Sequence, residues 1–442
     1  MSDLAELSTS LEGELFSPDS PGYDAVCAPE NAAFRDARPQ LVVLCRSVSD
    51  VVRSIAYANA TGTHLVPRGG GHCFAGRSTT DGIVLDLSGV RGISVNEDGA
   101  AVIGAGARLA EVYTALHAHG RTLPAGCGPT VGIAGLTLGG GIGLLGRKHG
   151  LTCDQLIEAQ VVLADGRVVV CDENRDSQLF WALRGAGGGQ FGVVTSLTFE
   201  TVDEPTVTRI EAQWPADGVE ELVSAWQAWA PDAPDDMTVD LALESVPGEA
   251  AVLARLTGAS SLSQGATRGL LRGFMGQAGV PAALELPGPI PFHSLKLDLA
   301  ALGLTPNGRA MRLRSEFFEH SMTDGTVTTL VALLRDPAAT SQRRLTFTAM
   351  GGAYNRVAED ATAFAHRRER FLLEHVADPV DPWIDASWAT AHAWGSGRVY
   401  PNFPDPALDD GPAAYHAGNR ARLAAVKRRY DPHRFFDFPQ AV

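Results

Sequence analysis

Val66 to Gly76 reads V-P-R-G-G-G-H-C-F-A-G. An apolar run enters three consecutive glycines, and a histidine follows at once. Glycine reaches backbone angles closed to other residues and lets a ligand lie against the main chain. Adjacent bare N–H groups make a cradle for phosphate. Two more glycine clusters follow: Gly126 to Gly146 (G-C-G-P-T-V-G-I-A-G-L-T-L-G-G-G-I-G-L-L-G) and Gly185 to Gly192 (G-A-G-G-G-Q-F-G). A single cluster is well explained by tight turns. Three clusters between Gly69 and Gly192 point to one large diphosphate ligand crossing this part of the chain.

The pattern G-x-G-x-x-G occurs at Gly141/Gly143/Gly146 and at Gly187/Gly189/Gly192. Neither has a strand before it and a helix after it, so neither is a dinucleotide fingerprint. No G-K-[ST] follows a glycine loop, which excludes a Walker A site. His72 lacks a ligand partner at the next positions, and the six cysteines (Cys27, Cys45, Cys73, Cys127, Cys153, Cys171) form no C-x-x-C pair. No metal is therefore expected, and the thiols read as small packing groups. Net charge is −15. Nucleic acid and anionic membranes need a basic face, so neither is the expected partner. The start M-S-D-L-A-E-L is acidic, unlike a signal peptide, and no apolar run is long enough to span a bilayer. A cytoplasmic location is the expectation.

Leu41–Cys45 reads as a strand, followed by a helix capped by Ser47 with Asp50 three residues on. Further strands are expected at His64–Pro67, Gly82–Leu87, Ile93–Val95, Ala100–Ile103, Val161–Leu163, Val168–Val170 and Phe191–Phe199, with a helix from Arg108. This hairpin-rich unit is α+β rather than a βαβ array. Beyond Pro205 glycine thins out. Strands at Thr206–Gln213, Thr238–Leu243, Ala251–Leu256, Met311–Phe318 and Leu345–Met350 and helices at Val219–Ala230 and Gln264–Phe274 describe a second sheet covered by helices on one face. Glu285–Pro291 reads as a Pro-rich loop, and the tail as loop plus a short helix.

These residues carry a resemblance. P-R-G-G-G-H-C-F-A-G-R-S with D-G-I-V-L-D-L-S resembles the flavin-attachment segment of the berberine-bridge-enzyme-like flavoproteins of the vanillyl-alcohol-oxidase superfamily. P-T-V-G-I-A-G-L-T-L-G-G-G-I-G-L-L-G-R-K-H-G-L-T-C-D-Q-L and L-F-W-A-L-R-G-A-G-G-G-Q-F-G-V-V-T are similar to that family's second and third FAD-binding stretches. Y-P-N-F-P-D and Y-D-P-H-R-F-F resemble its closing motifs. The likeness runs from Arg38 to Phe436 and is weakest in the middle.

The resemblance implies an FAD-binding domain over 1–204 (PCMH-type, core about 37–204), a substrate-binding domain over 205–395, and a segment 396–442 returning to the FAD domain. His72 matches the histidine bonded to the flavin 8α-methyl. Arg68, Gly69, Gly70, Gly71 and Gly76 would wrap the pyrophosphate. Gly126, Thr130, Val131, Gly132, Gly135, Gly140, Gly141 and Gly143 would line flavin and ADP. Val193 and Val194 would pack on the adenosine end, and Tyr400, Asn402 and Phe403 would lie by the ring. Some members carry a second link through a cysteine directly before P-T-V-G; here Gly128 stands there and Cys127 one residue earlier. An extended backbone would turn that side chain away, though the loop can absorb the shift. A single bond through His72 is the expectation, with Cys127 left open.

Many alcohol-oxidising members have a tyrosine base where this chain has Phe403. Arg312, Arg314 and Glu316 alternate along one strand and so share a face. Glu316 is a candidate base and Arg314 an orienting group, against the alternative of a solvated polar face. Tyr400, Tyr354 and His366 are weaker candidates, and a neutral amine substrate would need no strong base. The implied activity is hydride transfer from a small molecule (alcohol, amine or ring-closing C–H) to flavin N5, with O₂ as electron acceptor giving H₂O₂. The Ala/Gly/Arg-rich composition suggests bacterial secondary metabolism. The rivals are a dehydrogenase with another acceptor, an NAD(P)-dependent enzyme, against which the missing strand–turn–helix context argues, and a non-catalytic flavin-binding protein.

Overall fold

The computed structural model describes residues 4–214, 217–280, 283–301 and 308–442. Ser47 caps the helix Val48–Thr61 as the spacing predicts: its hydroxyl accepts from Asp50 N, and the Asp50 carboxylate accepts from the Ser47 N–H. Val51, Ile55 and Ala58 form the buried stripe of that helix. It connects the strand Leu41–Leu44 to Leu65–Arg68, and both run parallel to Ile83–Asp86, which lies between them. Glu14–Phe16 completes this four-stranded sheet on its antiparallel edge. One crossover unit is thus present in a region read from sequence as hairpins.

The second sheet is the expected antiparallel one. Its order is Ile93–Val95, Ala101–Gly104, Val193–Phe199, Leu156–Val162 and Val168–Cys171. Residues of both sheets share a single apolar core, which also takes in Leu423, Val426, Tyr430 and Phe436. The tail therefore returns to the first part of the molecule through the helix Arg420–Tyr430.

A larger antiparallel sheet follows. Seven of its strands run in the order Ala283–Glu285, Thr206–Trp214, Val252–Ser260, Met237–Ser245, Arg344–Ala349, Phe371–Ala377, Arg312–Phe318, and Ile290–Pro291 pairs beside Thr206–Trp214. The helices Val219–Trp229, Gln264–Ala278, Asp324–Leu334 and Trp383–His392 cover one face, sealing a second core around Trp226, Leu241, Phe347 and Phe371. The other face turns toward the glycine loops.

Several elements here depart from the sequence expectation, among them the covering helices Asp324–Leu334 and Trp383–His392. Glu285–Pro291 is bracketed by short strands rather than being all loop. The helix Phe292–Ala301 is unforeseen, and it packs Phe292, Leu295 and Leu299 into the first core. The strand Phe371–Ala377 (F-L-L-E-H-V-A) is also unforeseen, because Glu374 and His375 break its apolar run. No described helix is long and apolar enough to cross a membrane.

Candidate active site

The strand Leu65–Arg68 ends at the first glycine run. Gly69 to Gly71 therefore lie at the carboxyl end of a parallel strand, where such sheets place ligands. Gly70 and Gly132 require each other to be glycine: a Cβ on either would run into the other's backbone N. The first two glycine clusters thus cross in main-chain contact. At Gly135 a Cβ would meet no protein atom within 4 Å, yet the residue lines the cavity. That is backbone left bare for a ligand rather than for packing. Gly188, Gly189 and Gly192 of the third cluster reach the same cavity.

His72 stands in this wall with Nε2 2.9 Å from Thr130 Oγ1. Burial lowers its pKa, so the ring is neutral. With Nε2 engaged by the Thr130 hydroxyl, Nδ1 is the ring nitrogen left for a ligand. Bare glycine backbone from two chain crossings beside a neutral imidazole fits the diphosphate and ring system of FAD.

The cavity gathers much of the predicted set: Gly69, Gly70, Gly71, His72, Gly126, Cys127, Val131, Gly132, Gly135, Gly143, Val194, Tyr400, Asn402 and Phe403 all line it. Thr130 acts through His72. The other members of the set are structural. Arg68 is buried, pairs with Asp86 and donates to the carbonyls of Val26 and Cys27, which leaves nothing for a phosphate. A Cβ at Gly76 would strike the Phe34 ring, at Gly140 the Phe364 ring, and at Gly141 Thr152, so these three are glycine for packing. Val193 is fully buried in the first core.

The largest correction concerns Arg314 and Glu316. They do share a face with Arg312, but it is the helix-covered one. Arg314 bonds Asp405 at 2.7 Å and Asp385 at 2.9 Å and lies 3.7 Å over the Trp388 ring. The Glu316 side chain is 0% exposed and engages His392 Nδ1 at 2.8 Å and the Gly397 N–H at 2.7 Å. Burial pushes its carboxyl up to about 7, but it does not reach the cavity. It is not solvated, and it lies in the helix layer rather than on the cavity wall.

Tyr400 lines the cavity but is a poor base. Its hydroxyl oxygen accepts from the N–H groups of Gly141 and Ile142 and from Asn402 Nδ2, and burial pushes its pKa up to about 12. Asn402 also donates to Leu136 O at 2.8 Å, so the Y-P-N stretch pins the glycine loop. The Tyr354 hydroxyl is tied reciprocally to Gly143 N and O. His366 is buried off the cavity with its pKa pushed down to about 3. Phe403 packs edge-on to Tyr400 at 4.9 Å and Phe74 at 5.7 Å, presenting carbon only.

Cys127 reaches the wall despite its one-residue displacement, and Lys296 Nζ lies 3.3 Å from its Sγ. Lys296 comes from the unforeseen helix Phe292–Ala301. It also donates to the carbonyls of Ala125 and Gly126 and sits 4.9 Å from the Tyr113 and Phe292 rings.

Sequence reasoning missed the groups on the cavity face of the large sheet. Asp240, Arg344 and Glu374 line it from adjacent strands. Burial pushes the Glu374 carboxyl up to about 7, with Arg344 pulling it back. Burial, and then the charge of Glu374, bring Asp240 to about 7 as well. The available signal was local: V-D-L-A-L and F-L-L-E-H each set an acid in an otherwise apolar strand.

Comparison with known proteins agrees with this geometry. Residues 39–172 match the family model described as FAD binding domain, and residues 399–442 the one described as berberine and berberine like. The uncharacterized FAD-linked oxidoreductase YgaK of Bacillus subtilis is 33% identical over 456 residues, spanning 98% of this chain and 97% of that protein. Chitooligosaccharide oxidase of Gibberella zeae is 28% identical over 435 residues, spanning 91% and 87%. The solved structure of Physcomitrella patens BBE-like 1 superposes with a TM-score of 0.89 at 26% identity, covering 100% of this chain and 99% of that one. The family and the vanillyl-alcohol-oxidase-type fold implied by the motifs therefore hold, and the chain belongs to the berberine-bridge-enzyme-like family of FAD-linked oxidoreductases.

Proposed function

We propose that this protein is an oxidase that takes a hydride from a compact small molecule held between the glycine loops and the polar face of the large sheet, and that Glu374 receives the substrate proton. The observation that carries this reading is Glu374 itself: a carboxyl on the cavity wall whose burial places its pKa near 7, where a general base works best. Phe403 cannot take a proton, and the Tyr400 hydroxyl is occupied as an acceptor.

FAD, when bound, supplies the two-electron acceptor and returns those electrons to O₂. His72 tethers it through Nδ1, because Nε2 is held by Thr130. Thr130 fixes the tautomer and the direction of the ring. Tyr400 and Asn402 hold the Gly140–Ile142 turn in place, and Phe74, Phe403 and Leu372 keep water out. We infer a single attachment, because Cys127 stands one residue before the position that carries the second link in some members of the family.

Acid denaturation of the purified protein tests the tether: a yellow pellet supports it, and a colourless pellet with free FAD in the supernatant refutes it. Cys127→Ala should leave the flavin attached with an unchanged spectrum. Anaerobic reduction followed by air separates the acceptors. Return of the oxidised spectrum within seconds supports an oxidase, and return over many minutes supports a dehydrogenase.

A further inference from the structure

The cavity holds a second acid that the proposed reaction does not use. Asp240 lies on the strand Met237–Ser245, and Glu374 is two strands away, with Arg344–Ala349 between them. The charge of Arg344 bears on Glu374. On Asp240, after burial and the charge of Glu374, a hydrogen bond from the Ala349 N–H and the charges of Lys296 and Arg147 also act. The buried Asp240 Oδ1 finds no hydrogen-bond partner among the described residues, and neither does Thr238 Oγ1, which lines the same wall.

The cations that act on Asp240, and Tyr354 beside them, are committed elsewhere. Arg147 donates to the carbonyls of Pro231, Ala233, Met237 and Met350. Lys296 is held by two carbonyls and Cys127, and Tyr354 by Gly143. Leu313, Leu372, Ile142 and Phe403 make the apolar part of the wall, and Arg344 and Thr348 line it beside the two acids. A molecule with one polar head fits it. Because the unpartnered Asp240 atom is an acceptor, that head is a donor, and a charged donor gives the stronger pairing with a carboxylate.

We propose that Asp240 is the recognition carboxylate of this cavity and that it selects a compact substrate whose apolar body carries one basic nitrogen. This rests on the cavity being the substrate site of a flavin oxidase, and it names the substrate class. Asp240 holds the protonated nitrogen by ion pair and hydrogen bond, and Glu374 remains free for the proton released on oxidation.

The test uses the flavin-loaded protein and follows flavin absorbance during titration with benzylamine, benzyl alcohol and N,N′-diacetylchitobiose. At about pH 8, above the range of the Asp240 carboxyl near 7, benzylamine should bind at least about ten-fold more tightly than benzyl alcohol. Asp240→Asn should remove that preference, benzylamine losing at least about ten-fold more affinity than benzyl alcohol, with the flavin spectrum unchanged. In the unmutated protein, benzylamine affinity should fall as pH drops through about 7 while benzyl alcohol affinity stays level. Equal affinities for amine and alcohol, no response to benzylamine, or tighter binding of the chitobiose overturns the inference and leaves the oxidase reading intact. A chain that takes up no flavin overturns both.

Discussion

Glu316 and Glu374 lie on paired strands, one residue out of register with each other. Ser315 faces Glu374 across the ladder, and Glu316 faces Leu373. Burial brings both carboxyls to about 7. Yet one points into the helix layer, bonded to His392 and Gly397, and the other into the cavity. In a sheet, one position of offset exchanges faces. A perturbed carboxyl therefore marks burial, and the side of the sheet decides whether it meets the helix layer or the cavity. The helix face satisfies its charges within the protein, whereas the cavity face leaves Asp240 Oδ1 and Arg344 Nε without partners among the described residues.

The largest expected effect falls on the cavity side. Glu374→Gln should slow anaerobic flavin reduction by about 10²- to 10⁴-fold, the usual worth of a general base. In the unmutated protein the rate should rise with pH through about 7, because the base acts as the carboxylate, and the variant should lose that limb. If Glu316→Gln slows reduction equally, the distinction between the faces fails.

On the helix side the effects should appear in stability. Arg314→Met leaves Asp405, with its side chain 2% exposed, without its guanidinium partner. Loss of one partner of a buried pair costs about 3–5 kcal/mol, so the melting temperature should fall while flavin reduction by the remaining folded protein stays within a few-fold. Glu316→Gln should have a smaller effect with its own pH signature. The raised carboxyl takes up a proton on folding, so its contribution to stability is full below about 4.5 and is lost as pH rises to about 7. Melting curves of the Gln variant should lack that slope. The smallest effect is expected at Phe403→Tyr, where a hydroxyl added next to the Tyr400 ring should change the reduction rate by less than about five-fold, since the proton goes to Glu374.

Legibility differed between the same two regions. The glycine clusters were readable because bare backbone is a covalent property: Gly70, Gly132 and Gly135 stand where a Cβ would block a loop crossing or the cavity. His72 was readable from its place beside them. Arg68, Gly76, Gly140 and Gly141 were assigned to the ligand on adjacency alone, and the structure uses them for an ion pair and for close packing. Phe371–Ala377 escaped notice because a strand covered on both faces loses the clean alternation that marks a half-buried one. Lys296 could not be anticipated at all, since its helix lies 169 residues along the chain from the thiol it holds.

By itself the sequence determined the family, through the likeness of its motifs, and the glycine loops and helix-covered second sheet, through residue type and local spacing. It also determined that Arg312, Arg314 and Glu316 share one face, because strand side chains alternate with period two. Which face looks onto the cavity was decided only by the tertiary structure. Period two carries no sign, and the sign is set when helices from four separate segments cover one side of the sheet and leave Asp240, Arg344 and Glu374 facing the glycine loops.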